Sequence, residues 1–422
     1  MDGNAANDTW LDRGLRFLGP GWRVAKGHCM AGMTDFSAIP RPVIPAGAQR
    51  RPRGGALPAR RAGTKGYGWR ALSQLGIVLA AALTLGRPAS AHAAELLPAL
   101  AADATQTSVS GISSGAYMAG QYEIAHASTV IGAAIIAGGP YGCAEARYAD
   151  LMGDVAHLAM NAAQSMEGCM MNGLSWVGIP DPAALADHAR ELATRGRIDP
   201  IEKLAKHRVY LFSGLADQIV AHDVVVAAAE VYLRLGVPKA AIKTGPRLAA
   251  GHGFVTEPET SDCSLSGAPF VVHCGYDQAG DLLAHVYGAL APKAAAPSGA
   301  LVTFDQRPFS EGLATTGLAA EGAVYIPSSC RNAPGCRVHI AFHGCQQNRA
   351  AVGDAFVSGT GFAAWADTNR FVVLYPQVAS DPFVNPLGCW DWWGYTGFSY
   401  LTRDAPQIAA VHAMVARLTA RP

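Results

Sequence analysis

The chain has 422 residues, half of them hydrophobic, and a formal charge of +1 at pH 7. That composition suits a globular protein with a large core and gives no reason to expect nucleic acid as a partner. Residues 41–70 are rich in Pro, Gly and Arg, and an apolar run, Ala71–Gly86, and the small-residue stretch "RPASAHAAE" follow. A basic stretch, a short apolar run and A-x-A spacing are the three parts of a secretory signal peptide, with cleavage after Ala91 or Ala93. The run falls short of the roughly 18 apolar residues that usually span a bilayer. Residues 1–93 thus read as an N-terminal extension plus signal peptide. The mature chain is expected to be a single domain of residues 94–422, secreted or periplasmic, monomeric and without stable membrane insertion.

Of nine cysteines, Cys29 falls in the leader. The other eight are an even number in an exported chain, which suggests disulfides. Their spacings suggest neighbours: Cys143–Cys169, Cys263–Cys274, Cys330–Cys336 and Cys345–Cys389. With no CxxC pair in the sequence, neither a metal site nor a cofactor is expected.

In chain order, "QTSVSGISSG" reads as a strand entering a turn, and "AYMAGQYEIAHA" as the helix after it. "VIGAAIIAGG" is an unbroken apolar strand. The Met- and Ala-rich stretch from Ala149 to Arg197 reads as mostly helical, an insertion over the sheet. "HRVYLFSGLAD" is the next strand and loop, then a helix "DVVVAAAEVYLRLG", a short strand near Ala240–Lys243 and the loop "LAAGHGFVTE". After a helix "AGDLLAHVYGAL" and a linker, the strand rhythm restarts with "GALVTFDQ", "EGAVYIP", "CRVHIAFHG" and "FVVLYPQ". A helix "GFAAWADTN" separates the last two, and a helix from Asp404 to Leu418 closes the chain. Strands alternating with helices predict an α/β fold with a mainly parallel sheet covered by helices on both faces.

Hydrolysis of an ester by serine needs a hydroxyl, a histidine to take its proton, a carboxylate to orient that histidine and two N–H donors for the oxyanion. Ser113 centres a G-x-S-x-G pentad, weak by itself, between Gly111 and Gly115 and between a strand and a helix. Ser114 is off register with the glycines, and its N–H suits the oxyanion. Asp217 lies in the loop just past a buried strand, at the edge where ligands bind in open α/β sheets; its competitor Asp223 reads as the cap of the helix beginning at Val224. His252 lies between glycines in "AAGHGF" after the next strand, whereas His207 and His273 fit the order Ser–Asp–His poorly or lack such a loop.

The second oxyanion donor normally precedes the nucleophile. Here the His-Gly segment lies far downstream, in "VHIAFHGCQQN", which assigns the Cys345 N–H and makes the order of elements rotated. Alternatively, "HGC" is only a disulfide-pinned turn. Trp390, Trp392 and Trp393 fit either a core or an apolar platform for a polymer chain, with one ring expected buried and another exposed. Asp391 has no assigned role.

"GISSGAYMA", "GLAD", "AAGHGF", "FHGCQQN" and "GCWDWWGY" together resemble the single-domain, circularly permuted α/β-hydrolase type of poly(3-hydroxybutyrate) depolymerase, from Thr107 to the C-terminus. The resemblance implies hydrolysis of polyester to soluble oligomers and monomers through an acyl-enzyme. Carried over by motif, Ser113, Asp217 and His252 form the triad, Ser114 and Cys345 the oxyanion hole, and the Trp cluster lines the substrate crevice. The alternatives are a feruloyl- or acetyl-type polysaccharide esterase, or a noncatalytic granule- or polymer-binding protein of the same fold.

Overall fold

The computed structural model describes residues 94–145, 153–173, 178–258 and 261–422; the expected N-terminal extension and signal peptide, residues 1–93, lie outside them. Among the described residues, ten strands form two sheets: β1 (Thr107–Ile112), β2 (Val130–Ile136), β3 (Arg208–Phe212), β4 (Ile242–Thr244), β5 (Phe254–Thr256), β6 (Val271–His273), β7 (Ala300–Asp305), β8 (Glu321–Ile326), β9 (Arg337–Phe342) and β10 (Phe371–Tyr375). The main sheet has the order β4-β3-β2-β1-β9-β10-β8-β7, and β5 pairs with β6 alone. All its neighbours are parallel except β10–β8 and β8–β7.

The central strands explain why they read so clearly as sequence. β2, VIGAAII, and β9, RVHIAF, are buried almost throughout, as parallel strands covered on both faces must be. Separate apolar clusters fill the two faces. One gathers α1 (Ser114–Ala125), α4 (His222–Arg234) and α9 (Pro406–Thr419); the other gathers α5 (Gln278–Tyr287) and α8 (Phe362–Asn369). Two helices, α2 (Asp154–Met166) and α3 (Pro182–Thr194), lie in the long connection between β2 and β3, within the expected insertion. Two short helices, α6 (Arg349–Val352) and α7 (Ala355–Gly359), follow β9.

The rotated order is visible in the topology. β9, which leads into His343, pairs directly with β1, which leads into Ser113, in the register Ser110↔Ala341 and Gly111↔Phe342. Counted from β7, the strand that leads into Ser113 comes after β9 and β10, and the fold is an α/β-hydrolase opened at a different point of its chain. The two ends of the described chain meet: Leu100 N–H donates to Leu418 O at 3.1 Å, and Ala101 N–H to Ala420 O at 2.8 Å.

Three boundaries differ from expectation. α4 begins at His222 with Ala221 as its cap, so Asp223 sits inside the first turn, where a carboxylate favours the helix dipole without capping it. The closing helix starts at Pro406, because proline suits the first helical position. β5 and β6 were not expected; three residues each are too few to display a period.

Candidate active site

Ser113 stands at the turn between β1 and α1 with φ 57° and ψ −125°, a strained left-handed conformation for a residue with a side chain. Small neighbours make that turn possible. A Cβ on Gly111 would lie 2.0 Å from Gly115 O, and one on Gly115 would lie 2.3 Å from His343 O. The turn is tied to the sheet by Ser113 N–H donating to Ile136 O at 3.0 Å. Burial leaves the serine 9% exposed.

The same sheet edge carries the other two residues. β2 pairs with β3 up to Ile136↔Phe212, and β3 pairs with β4 up to Leu211↔Thr244. Asp217 follows β3 and His252 follows β4. Their loops are laced together by Leu215 N–H to Leu248 O at 2.8 Å and Ala216 N–H to Ala250 O at 2.9 Å. Asp217 Oδ1 accepts from the N–H groups of Ile219 and Val220, at 2.8 and 3.0 Å. Its Oδ2 faces His252 Nδ1 at 2.9 Å. An aspartate held this way keeps the imidazole proton on Nδ1 and leaves Nε2 as the basic nitrogen. His252 is held further by its N–H to Ser266 Oγ at 2.8 Å and by the edge of Phe270, ring centroids 6.1 Å apart.

Ser114 and Cys345 approach from the two sides of β1 and β9. Ser114 is the first residue of α1, where backbone N–H groups lack an intrahelical acceptor. Among the described residues, no protein acceptor takes the Ser114 or Cys345 N–H. The Cys345 loop lies hard against Ser113, since a Cβ on Gly344 would be 3.2 Å from Ser113 Cβ.

That loop is clamped by residues given no positioning role from sequence. Buried Gln347 accepts Gly344 N–H at 2.7 Å and donates to Pro269 O and Phe270 O, both at 3.0 Å. One side chain therefore joins the Cys345 loop to the segment packed on His252. Asn385 closes the neighbouring turn by accepting Cys389 N–H and donating to Cys389 O, each at 2.9 Å. The repeated amides of "QQN" were the one available signal for such a clamp.

All four expected disulfides are present: Cys143–Cys169, Cys263–Cys274, Cys330–Cys336 and Cys345–Cys389. The last ties the Cys345 loop to the tryptophan loop, so "HGC" is disulfide-pinned and beside Ser113 at once. Among the described residues no group of three or more His, Cys, Asp or Glu side chains is arranged to hold a metal ion.

The tryptophans divide differently from expectation. Trp390 is fully enclosed, its ring against the edge of Phe342 at 4.9 Å, so it is core and cannot face a crevice. Trp392 is 5% exposed and stacks on Tyr117 at 4.1 Å beside the Cys143–Cys169 bridge. Trp393 is half-buried, and no ring of the three is fully exposed. The insertion meets this loop through Asn161 Nδ2–H to Trp393 O at 3.1 Å. Asp391 has a structural use: it accepts from the N–H groups of Trp393, Gly394, Tyr395 and Thr396 and from the Thr396 hydroxyl. His207 is a buried partner of Glu123, and His273 lies on β6. Neither touches the Asp217–His252 pair.

The polyhydroxybutyrate depolymerase of Talaromyces funiculosus is 31% identical over 344 residues, which cover 77% of this chain and 93% of that protein. This chain belongs to the polyhydroxybutyrate depolymerase family. The poly(3-hydroxybutyrate) depolymerase of Delftia acidovorans is 39% identical over 344 residues, 80% of this chain but 65% of that longer protein. Two solved structures agree with the family fold at a TM-score of 0.67. They are a PHB depolymerase from Penicillium funiculosum, at 30% identity, and a PHB depolymerase complexed with an R3HB trimer, at 29%. Each alignment covers 77% of this chain and 98% of the solved one. No family model matches the chain.

Proposed function

We propose that this chain is a serine esterase that hydrolyses the ester bonds of poly(3-hydroxybutyrate) and related polyhydroxyalkanoates to soluble products. The observation that carries the reading is the Asp217–His252 hydrogen bond, made at the sheet edge where Ser113 occupies a strained turn, in a member of this family. Ser113 Oγ attacks the ester carbonyl while His252 Nε2 takes its proton. The Ser114 and Cys345 N–H groups hold the oxyanion, and the alcohol leaves with the proton from His252. Water, activated by the same histidine, then releases the acid from the acyl-enzyme. Trp393 and the rim of the Trp392–Tyr117 stack supply apolar surface for the polymer chain.

The mature enzyme in this reading is one catalytic domain, residues 94–422, exported and monomeric. Four disulfides fit an oxidising compartment, and no helix of the described residues is long and apolar enough to cross a membrane.

The test compares wild type with Ser113→Ala for release of soluble 3-hydroxybutyrate or its oligomers from polymer. Release by wild type alone is expected. Activity surviving the substitution removes Ser113 from its role, and activity confined to feruloyl esters would replace the polyester substrate by a polysaccharide ester.

A further inference from the structure

Behind Cys345 runs a set of hydrogen bonds that bears on the oxyanion hole and rests on the reading just given. His343 directly follows β9 and is completely buried. Its Nε2 accepts the N–H of Val378 at 3.2 Å, so the proton of the neutral ring resides on Nδ1. That Nδ1–H faces Gly344 O at 2.8 Å. The Gly344 carbonyl and the Cys345 N–H belong to one peptide unit, which is planar and trans and therefore points them in opposite directions. A carbonyl turned to His343 forces the Cys345 N–H away from the ring. The loop has little other freedom, because Gln347 holds Gly344 N–H and the disulfide holds Cys345.

We propose that His343 is a positioning residue of the oxyanion hole: its Nδ1–H bond to Gly344 O fixes the Gly344–Cys345 peptide plane and so aims the Cys345 N–H at the substrate. Donation to the carbonyl also polarises the peptide and strengthens its N–H as a donor, by the cooperativity of linked hydrogen bonds. Burial pushes the imidazole down to about 4, so the ring keeps a single proton, and the same tautomer, across neutral pH. Trp390 packs against this ring, centroids 5.6 Å apart. The fully buried tryptophan thereby serves the site from behind.

Two amide substitutions separate orientation from burial. In His343→Asn the amide nitrogen falls near the place of Nδ1 and reaches Gly344 O. In His343→Gln the amide falls near Nε2, where its oxygen accepts the Val378 N–H and no donor reaches Gly344 O. Both leave a polar group of similar character in the same pocket. Kinetics on a soluble 3-hydroxybutyrate oligomer are measured for both, with thermal unfolding alongside. His343→Gln is expected to lose about 100-fold in kcat, the scale of one oxyanion donor, with KM nearly unchanged. His343→Asn is expected to recover at least about tenfold of that loss, whatever the order of the two melting temperatures. Equal kcat in the two variants, or higher kcat in His343→Gln, would overturn the proposal. Ser113→Ala assayed in parallel keeps this outcome separate from failure of the triad itself, because an active Ser113→Ala protein would refute the reading on which His343 depends.

Discussion

Asp217 and His252 meet at 2.9 Å although 35 residues separate them, because β3 and β4 are neighbours and their following loops share backbone hydrogen bonds. Asp217→Asn keeps an acceptor for Ile219 and Val220 but presents an amide to His252, which selects the wrong tautomer. A loss of about 10⁴ in kcat is expected with little change in melting temperature. Ester hydrolysis and thermal unfolding measured on one preparation decide it, and a loss below tenfold would show that Asp217 does not orient the base.

The Cys345–Cys389 bridge closes a loop with a sequence separation of 44. Chain entropy alone assigns such a crosslink about 4 kcal/mol. The double substitution Cys345→Ala with Cys389→Ala is expected to lower the denaturant midpoint accordingly and to reduce kcat more than it raises KM. Unchanged kcat in the folded double variant would mean that Gln347 and His343 hold the loop without the bridge.

Gly115 cannot accept a side chain. Its Cβ would fall 2.3 Å from His343 O and 2.4 Å from Phe342 O, backbone atoms in the centre of the sheet. Gly115→Ala is expected to cost about 1–3 kcal/mol by overpacking and to displace Ser113 from Cys345. Urea denaturation and esterase assay read the two effects, and a fully active variant of wild-type stability would contradict the packing.

Buried His207 donates to both Glu123 Oε1 and Ala127 O, at 2.9 and 3.0 Å, which requires the imidazolium. Burial pulls the ring down, but the Glu123 hydrogen bond and charge outweigh it, so its pKa stands above 6.5. The contribution is fully present below about pH 6.5, the unfolded value, and is lost as pH rises through the folded one. Unfolding free energy measured across that window is expected to fall for wild type and to flatten in Glu123→Gln. The variant should be about 3–5 kcal/mol less stable near pH 6, the cost of breaking a buried pair.

The tryptophans separate stability from substrate. Trp390→Ala is expected to cost about 3–5 kcal/mol, whereas Trp393→Ala should raise KM on polymer while unfolding changes far less. Adsorption to polymer particles beside thermal melts distinguishes them; the reverse pattern would exchange their roles.

Much of this architecture is legible in the residues. Central parallel strands are nearly continuous apolar runs, so β2, β3 and β9 declare themselves, whereas β1, TSVSGI, is legible from the turn it enters. The order of Ser113, Asp217 and His252 follows from strand-then-loop placement. Each disulfide joins consecutive cysteines of the described chain; three close shorter loops, which loop-closure entropy favours, and Cys345–Cys389 is a longer-range pin. What escapes is tertiary. β5 and β6 are too short for a period, and Gln347 reads as one amide among several until its partners at Pro269 and Phe270 are in view. Three adjacent tryptophans look alike in sequence, and only the position of Phe342 decides that Trp390 is enclosed.

The pairing of β1 with β9 also governs when the enzyme comes into being. Ser108 and His339, on these adjacent strands, are 231 residues apart, so the central seam of the sheet depends on closing a very long loop. Pairings of such separation make folding slow. β1 is the first strand of the described chain, yet it has no neighbour on that side until β9 is in place. The serine is among the earliest residues of this domain to be synthesised, and its activity is among the last properties the chain acquires.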